Sequence, residues 1–401
     1  MPTRDQLLEA SLSLQQFLAK RHYKNGLLHG PDPGVRFNLR LWRFAKSALD
    51  HVPWGDDYVF TQTQGNWVLA NWMLYEATGR SSFCDIALES TRATLGLQTA
   101  EGYWPYPLPE RRHLIAALES IWGSTALLAT YSRTSRPELL QAAIRAYEFI
   151  VNRIGFQSHT PGKAINYFDK PRGKVPNNSV IAVWFFLRLW QATQDERFLE
   201  HVLPLLHFIG AVQLPSGEIP YIVDGPLEKG RDHYLCFQYN AHQFLHLCRS
   251  ERLRPGLGAM PTLTRLFHFL RRGVCPNGSC ANDCASTERG GPEVNYYTAA
   301  LGAALHQAYR MGLDNTDESA QRCFERLLAR QRPDGSFGFS TGDYGILKDE
   351  RSYPRQQAMI LFHLLGAADL GDGFAAVPTR QLNEPRSGSG VCFLGAPHAA
   401  C

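Results

Sequence analysis

A loop motif that recurs about every 60 residues constrains the fold of this chain more than any other feature of its sequence. Three clear copies share a glutamine, a glycine four residues later and nearby aromatic residues: Gln98-Thr-Ala-Glu-Gly102-Tyr-Trp104-Pro-Tyr106, Gln213-Leu-Pro-Ser-Gly217-Glu-Ile-Pro-Tyr221 and Gln331-Arg-Pro-Asp-Gly335-Ser-Phe337-Gly-Phe339. Weaker copies contain Gly162 and Gly278, so successive glycines lie 55 to 61 residues apart. A repeat of this length accommodates two helices of about 15 to 20 residues with their loops.

The segments between the motifs alternate between two kinds of predicted helix. Amphipathic stretches precede the motifs, at 83–97, 137–154, 196–212, 261–272 and 318–330. More apolar stretches lie at 61–77, 113–131, 178–193, 234–248, 296–311 and 354–370. A helix that is apolar nearly all round must be buried on most sides. We therefore predict an all-α protein, an (α/α)6 toroid with six inner helices. A linear solenoid is the alternative, but it needs polar capping repeats at both ends.

The same pattern indicates the domain organisation. We expect a single toroid domain over residues 1–376, in which helices within 1–54 complete the ring. Each motif glycine is expected to end an outer helix in a left-handed conformation. Extended structure should be limited to short pieces such as 217–223. Residues 377–401 are rich in Gly, Ser, Pro and Ala, which predicts a poorly ordered tail.

Composition and charge exclude several classes of protein. The formal net charge of the 401 residues is only +4 and the basic residues are scattered, so nucleic acid is not an expected partner. Asp5 and Glu9 interrupt the apolar residues near the start, so no signal peptide is predicted. No run of 18 apolar residues predicts a membrane span. Cys84, Cys236, Cys248 and Cys323, four of the nine cysteines, lie in helical patterns, which is typical of reduced thiols in a cytoplasmic protein.

The glutamine-glycine-aromatic loops and alternating helices resemble the terpenoid-cyclase-like α/α-toroid superfamily over about residues 55–370. Within it, the layout is similar to the VpsJ-type prenyltransferase-like proteins that are encoded with bacterial exopolysaccharide genes. The points of resemblance are Pro215-Ser-Gly217-Glu-Ile-Pro-Tyr221 with Arg231-Asp-His233-Tyr, and Pro333-Asp-Gly335-Ser with Ser352-Tyr-Pro354. The superfamily includes cyclases, lyases, hydrolases and epimerases, so the resemblance implies the fold and leaves the reaction open.

The predicted ring has one face on which ligands are expected to bind. Its inner helices run parallel, so their N-termini share that face with the motif loops. Six positive helix-dipole ends favour a ligand with negative charge, and an acidic saccharide is the predicted partner. The substrate-binding candidates flank the first turns of the inner helices: Arg111, Arg112, Asn178, Arg231, Asp232, Glu293, Tyr297, Arg351, Tyr353 and Arg355.

The fourth apolar helix begins in the most polar of these segments. Abstraction of a proton next to a carboxylate requires Asn or His to neutralise the carboxylate, Tyr or His as base, and Arg to orient the substrate. We therefore predict a protein of polysaccharide metabolism that acts on or binds an acidic saccharide without a cofactor, with lyase or epimerase chemistry if it is an enzyme. Asp232 serves equally as a helix cap. One helical face cannot present every candidate. The catalytic candidates are His233, Tyr234, Tyr239, Asn240 and His242.

Three alternatives remain open. Glycoside hydrolysis needs two facing carboxyl groups, for which the acids available are Asp232, Asp283, Glu293, Asp349 and Glu350. The segment from Asp283 and Cys284 to Glu288 resembles the Asp-Cys-Thr-Ala-Glu segment of triterpene cyclases, and this resemblance implies that Asp283 is a catalytic acid. Three residues separate Cys284 from Glu288, however, which departs from that pattern. A non-catalytic glycan-binding or assembly protein is the third alternative.

Three cysteines in one predicted loop form a candidate metal site. Cys275, Cys280 and Cys284 lie close in sequence and offer thiolate ligands for zinc. Their spacing is not that of a usual zinc knuckle, and no nearby histidine completes the set. A histidine distant in sequence would have to supply the fourth ligand.

Overall fold

A computed structural model describes residues 1–33, 40–49, 52, 54–284 and 291–375 of the chain. The helices of this part are α1 Arg4–Arg21, α2 Arg40–Ala48, α3 Thr61–Thr78, α4 Ser81–Gly96, α5 Ala117–Thr134, α6 Pro137–Phe149, α7 Pro176–Thr193, α8 Val202–Val212, α9 Cys236–Leu253, α10 Met260–Arg271, α11 Asn295–Arg310, α12 Glu318–Leu328 and α13 Pro354–Ala367. The predicted tail at 377–401 and Glu288 lie outside the described residues.

Short antiparallel strands lie in the loops between the helices. They are β1 Tyr23–Lys24, β2 Leu27–Leu28, β3 Phe156–His159, β4 Gly162–Ile165, β5 Glu293–Val294, β6 Ser340–Asp343 and β7 Leu347–Asp349. β1 pairs with β2, β3 pairs with β4, and β6 lies between β5 and β7. The extended structure is therefore confined to small pieces that connect and cover the helices.

Burial separates the helices into two classes. In α5, thirteen of the fourteen residues from 117 to 130 are buried. In α12, four of eleven residues are buried, on one side of the helix. Helices α3, α5, α7, α9, α11 and α13 belong to the first class, which contains the six apolar stretches of the sequence.

The six buried helices form a closed ring. Each contacts the next along the chain, and α13 contacts α3. This closure excludes the linear solenoid, and the predicted all-α toroid is confirmed. Helix α1 packs against α13 in the outer layer, so the N-terminal segment contributes to the ring. No helix in the described ranges is both long and apolar enough to cross a membrane.

The motif glutamines join consecutive outer helices. The Gln98 side-chain amide donates to the carbonyl oxygen of Gly102 in its own loop and to that of Ala142 in α6, both at 2.9 Å. Gln213 makes the same pair of bonds to its own loop and to α10. Gln331 makes them to its loop and to α1, which links the end of the toroid to its beginning.

The motif glycines permit close contact with the neighbouring outer helix. Gly217 has φ of +91°, and a Cβ there would lie 2.2 Å from the carbonyl oxygen of Arg265 in α10. Gly102, Gly278 and Gly335 also combine positive φ with such an approach. Helix α8 ends at Val212, so Gly217 lies in the following turn. The expectation that the motif glycine itself ends the outer helix is therefore wrong in this repeat.

Residues 369–375, which we call the floor segment, cover the ring at the C-terminal ends of the inner helices. Asp372 accepts hydrogen bonds from Arg188 of α7 and Arg252 of α9. The carbonyl oxygen of Gly373 accepts from Arg133 of α5 at 2.9 Å. Asp369 pairs with Arg310 of α11. Cations near C-terminal helix ends are also favoured by the helix dipole.

Candidate active site in the lumen of the ring

One face of α9 presents a line of functional side chains to the lumen. Tyr239, His242, His246 and Arg249 follow one another at intervals of three or four residues, which places them on one helical face. The His246 ring lies 4.9 Å from the Trp184 ring of α7. Four inner helices meet here, because Trp122 of α5 and His363 of α13 join the same cluster.

His242 and His363 face each other from two inner helices. Their ring centroids are 5.3 Å apart, with 40° between the ring planes. Burial, followed by the positive charge of Arg249, lowers the pKa of His242 to about 4. Burial likewise holds the pKa of His246 and that of His363 well below the usual value. All three imidazoles are therefore neutral near pH 7 and are able to accept protons.

Several polar atoms of this cluster have no hydrogen-bond partner in the described ranges. His242 Nε2, His246 Nδ1 and the indole nitrogens of Trp122 and Trp184 are buried without a hydrogen bond to the described residues. Buried polar groups in proteins are nearly always hydrogen-bonded to protein, water or ligand. Their concentration at one place indicates a binding site for a polar ligand.

Arg249 places a positive charge beside the histidines. Its guanidinium lies 4.8 Å from the Phe362 ring and 5.7 Å from the Trp184 ring. Burial lowers its pKa to about 10, whereas Asp372 opposes this shift, so the group stays charged near neutral pH. No ion pair of Arg249 within 4 Å occurs among the residues whose structure is described. This charge is available to a ligand.

Tyrosines surround the lumen nearer the N-terminal ends of the inner helices. The Tyr221 ring lies 4.7 Å from that of Tyr234 and 5.0 Å from that of Tyr239. Tyr296 and Tyr297 pack edge to face at 4.5 Å. Burial raises the pKa of Tyr221, Tyr239, Tyr296 and Tyr297, and the neighbouring phenols add to the shift for most of them. These hydroxyls remain neutral hydrogen-bonding groups.

Two acids border the same region. Arg355 donates from Nε to Asp32 Oδ2 at 2.6 Å, and its guanidinium lies over the Phe60 ring. The Glu119 carboxylate accepts hydrogen bonds from the backbone and hydroxyl of Thr61. Burial raises the pKa of Glu119, and the bonds from Thr61 counteract that shift. The Glu119–Thr61 pair joins the N-terminal ends of α3 and α5, and the Arg355–Asp32 pair joins the start of α13 to the segment before α2.

The structure brings some predicted site residues to the lumen and leaves others on the rim. Tyr239, His242 and Arg355 line the lumen, and Tyr234 and Tyr297 are among the tyrosines that surround it. The side chain of His233 is 59% exposed and its Nδ1 lies 2.8 Å from Glu218 Oε2. The exposed rim residues are Arg111, Arg112, Arg231 and Asp232. Arg231 lies 4.0 Å over the Tyr234 ring.

Asn240 faces away from the lumen and holds a loop. Its Oδ1 accepts from the Ile219 backbone at 2.9 Å, and its Nδ2 donates to the Ile219 and Cys236 carbonyl oxygens. Gln64 and Gln357 make the corresponding bonds in their own repeats. The structure therefore gives Asn240 a role in positioning the motif loop and does not bring it to His242.

Other candidates are likewise occupied by internal contacts. Glu293 forms a two-point salt bridge with Arg326 of α12. Tyr353 donates to Asp349 Oδ2 at 2.7 Å, and Arg351 donates to Asp349 Oδ1 at 2.9 Å. Lys46 pairs with the same carboxylate at 3.0 Å, so Asp349 has cationic partners on two sides. Asn178 is the exception among these candidates, because its buried side-chain amide has no protein partner within the described ranges.

The structure groups Cys284 with residues other than the two cysteines that lie near it in the sequence. Cys284 Sγ lies 3.5 Å from Cys236 Sγ, at the first residue of α9. Together with Glu218 and His233, these two residues form a group of metal-ligating side chains that excludes Cys275 and Cys280. The half-buried Asp283 adjoins this group.

Sequence reasoning missed the deeper half of the site. His246, Arg249 and His363 were not predicted, and neither was the convergence of the two tryptophans on them. The spacing of polar residues along α9, at 239, 242, 246 and 249, was a usable signal. His363 has no such companions in α13, so only the closed ring brings it to His242.

Comparisons with known proteins support the fold. No protein-family model and no curated protein sequence matches the chain. Solved structures of 168 chains match. A cellobiose 2-epimerase from Bacillus thermoamylovorans B4167 has a TM-score of 0.69 at 14% identity, covering 90% of this chain and 98% of that one. A sugar epimerase from a ruminal bacterium has a TM-score of 0.67 at 13% identity, covering 89% and 98%.

A family 88 glycosyl hydrolase from Bacteroides vulgatus has a TM-score of 0.64 at 11% identity, covering 92% of this chain and 99% of that one. At such identities the likeness shows the toroid fold alone. The resemblance to VpsJ-type proteins is not confirmed, and the terpenoid-cyclase alternative receives no support from these structures.

Proposed function

We propose that this chain is a saccharide-directed enzyme that epimerises a sugar by proton transfer, with His242 and His363 as the two bases. The observation that carries the proposal is their approach to 5.3 Å inside a lumen lined with unpartnered polar atoms. Two of the structures most similar in fold are named as sugar epimerases. Their names support the choice of substrate class.

The chemistry requires only groups that the lumen contains. A neutral imidazole removes the proton from a sugar carbon next to a carbonyl group, and the bonding electrons move towards the carbonyl oxygen. The imidazolium formed in this way passes its proton through water to the second imidazole, which then, as an imidazolium, returns a proton to the other side of the same carbon. The product has the same atoms as the substrate, and no oxidant or reductant is consumed. Because burial keeps both imidazoles neutral, each is able to begin the cycle as a base.

The lining of the lumen suits a saccharide with an acidic group. Trp122 and Trp184 provide apolar faces beside the histidines, and the tyrosine hydroxyls nearer the mouth provide neutral hydrogen-bonding groups. Arg249 provides a positive charge that has no ion pair within 4 Å among the described residues. A carboxylate on the sugar would neutralise this charge, so we propose an acidic saccharide as substrate.

The test is proton exchange in deuterated water. The purified chain is incubated with a panel of neutral reducing saccharides and uronates, and deuterium at the carbon next to the carbonyl is followed by NMR. We expect exchange and a new epimer with at least one saccharide. His242→Asn and His363→Asn should each reduce the rate by a factor of about 10² to 10⁴, which is the usual contribution of a general base.

His268→Asn is the matched control, because His268 is exposed on the outer helix α10. It should leave the exchange rate unchanged. Full exchange in both lumen variants would overturn the assignment of the bases. Binding without exchange would indicate a glycan-binding protein, and an unsaturated uronate that absorbs in the near ultraviolet would indicate a lyase. Either result would overturn the epimerase proposal.

A further inference from the structure

Four metal-ligating side chains meet at the rim, where α9 begins. Glu218 comes from the loop after α8, His233 and Cys236 lie before and at the first turn of α9, and Cys284 comes from the loop after α10. One donor atom from each side chain lies within 4.8 Å of all the others. Three separate segments of the chain therefore converge on one point.

The spacing of the donors suits a tetrahedral ion. His233 Nδ1 lies 2.8 Å from Glu218 Oε2, the two sulfur atoms are 3.5 Å apart, and Cys284 Sγ lies 3.9 Å from Glu218 Oε2. Zinc bonds of about 2.3 Å to sulfur and about 2.0 Å to nitrogen or oxygen separate tetrahedral ligands by roughly 3.3 to 3.8 Å. His233 Nδ1 and Glu218 Oε2 are about half an ångström closer than this, and every other pair of donors lies within 4.8 Å, so the exposed His233 ring is the group that would move to complete the tetrahedron.

The Glu218 carboxylate is a second, independent observation. Its residue is fully buried, and its Oε1 has no hydrogen-bond partner among the described residues. A buried carboxylate needs a compensating charge, and His233 contacts only one of its two oxygens. A cation within the cluster would supply the missing compensation.

We propose that Glu218, His233, Cys236 and Cys284 bind one zinc ion. Thiolate and imidazole ligands favour zinc over calcium or magnesium, which prefer oxygen. Four protein ligands complete a closed, structural site. The ion would tie the loops at 213–221 and 275–284 to the start of α9. In this assignment His233 is a metal ligand at the rim, and not a base in the lumen.

The zinc site would position the lumen residues of the same helix. Tyr239 lies one turn after Cys236, and His242 lies about one further turn along α9. The proposal does not depend on the epimerase reaction, because metal content is measured without substrate. A failure of either proposal therefore leaves the other intact.

The experiment measures zinc directly in the full chain. Protein purified without chelators, and protein stripped and then supplied with zinc alone, are analysed for metal by elemental analysis. We expect one zinc per chain in the wild type and in Cys275→Ser, which changes a half-buried cysteine of the same loop that lies outside the donor group. Cys236→Ser and Cys284→Ser should lose the metal. Cobalt substitution should give thiolate-to-cobalt charge-transfer absorption in the wild type and Cys275→Ser only.

His233→Ala provides a variant that should fold normally, because this side chain is largely exposed. It should release zinc to a competing chelator more readily than the wild type does. Absence of zinc from the supplied wild type would overturn the proposal, as would unchanged zinc retention in His233→Ala and the two serine variants. A Cys236–Cys284 disulfide in the freshly purified protein, detected by mass spectrometry of a non-reduced digest, would also overturn it.

Discussion

The floor segment and the lumen of the ring hold their polar groups in opposite ways. At the floor, arginines from successive inner helices converge on residues 369–375, and each has a carboxylate or carbonyl partner there. In the lumen above, imidazole and indole nitrogens on inner helices are buried without a hydrogen-bond partner in the described part of the chain. Arg252 and His246 of α9 illustrate the contrast, because Arg252 pairs with Asp372, whereas His246 Nδ1 has no hydrogen-bond partner among the described residues.

The difference separates groups that hold the fold from groups that are available to a ligand. A paired buried charge is costly to disturb, because removal of one partner leaves the other uncompensated. An unpartnered buried nitrogen is destabilising unless water or a ligand satisfies it. The floor should therefore govern stability and the lumen should govern chemistry. Two measurements test this division and a third tests the motif loops, in addition to the exchange and zinc experiments.

The largest stability effect is expected at the floor. Asp372→Ala removes the shared partner of Arg188 and Arg252 and should lower the free energy of unfolding by about 3 to 5 kcal/mol, as expected for a broken buried pair. Urea denaturation measures this change. Glu148→Ala is the control, because Glu148 and its partner Arg197 are about half exposed, and it should cost less than about 1 kcal/mol. Equal effects of the two variants would contradict the structural role of the floor.

A smaller loss is expected from the motif loops. Gly217→Ala introduces a Cβ 2.2 Å from the Arg265 carbonyl oxygen at φ of +91° and should destabilise the chain by about 2 to 4 kcal/mol. Gly256 has φ of +85°, and a Cβ added there would meet no atom within 4 Å, so Gly256→Ala isolates the backbone contribution. That control should cost about 1 to 2 kcal/mol. Thermal or urea unfolding that fails to separate the two variants would show that the close approach to α10 is unimportant.

The smallest effect, that of replacing one lumen histidine, concerns stability at mildly acid pH. His242, His246 and His363 have folded-state pKa values below the usual 6.5, so the unfolded chain binds more protons. Their contribution to stability is complete above about pH 6.5 and is lost as the pH falls towards the folded value, about 4 for His242. The loss should be at most about 1.4 kcal/mol per pH unit for each histidine.

The floor carboxylate should respond only at lower pH. Burial alone would raise the pKa of Asp372, but Arg188, Arg252 and Arg249 outweigh it and lower the pKa below the usual 3.8. Its contribution is therefore lost only below that value. Urea titrations at pH 8, 7, 6 and 5 compare the wild type with His246→Gln, which should show the shallower decline. A parallel decline in both proteins would indicate that the lumen histidines are not responsible.

The repeat of the loop motif was sufficient to predict the ring. The six apolar stretches became the six inner helices, with ends shifted by a few residues, because burial on all sides requires an apolar sequence on all sides. The motif also has the local function that a repeat implies, since Gln98, Gln213 and Gln331 make the same pair of hydrogen bonds. The sequence did not predict that the motif glycine lies in the turn after the outer helix. That position depends on how closely the next outer helix approaches the turn.

The site was predicted only in part. Tyr239, His242 and Arg355 lie in the lumen, in the N-terminal halves of inner helices. Asn240, one residue from Tyr239, points the other way, because adjacent helical residues lie about 100° apart. Sequence proximity grouped these two residues, whereas the helix separates them. The roles assigned to the lumen residues remain predictions until the exchange experiment is done.

The sequence by itself determined the all-α character, the number of helical hairpins and the polar start of the fourth inner helix, because these depend on local periodicity and on recurring loop residues. Only the tertiary structure decided which distant side chains meet. His242 and His363 are 121 positions apart, and Cys236 and Cys284 are separated by 48. Ring closure brings such residues together, and no local pattern encodes that contact, because it depends on the packing angles of all six hairpins.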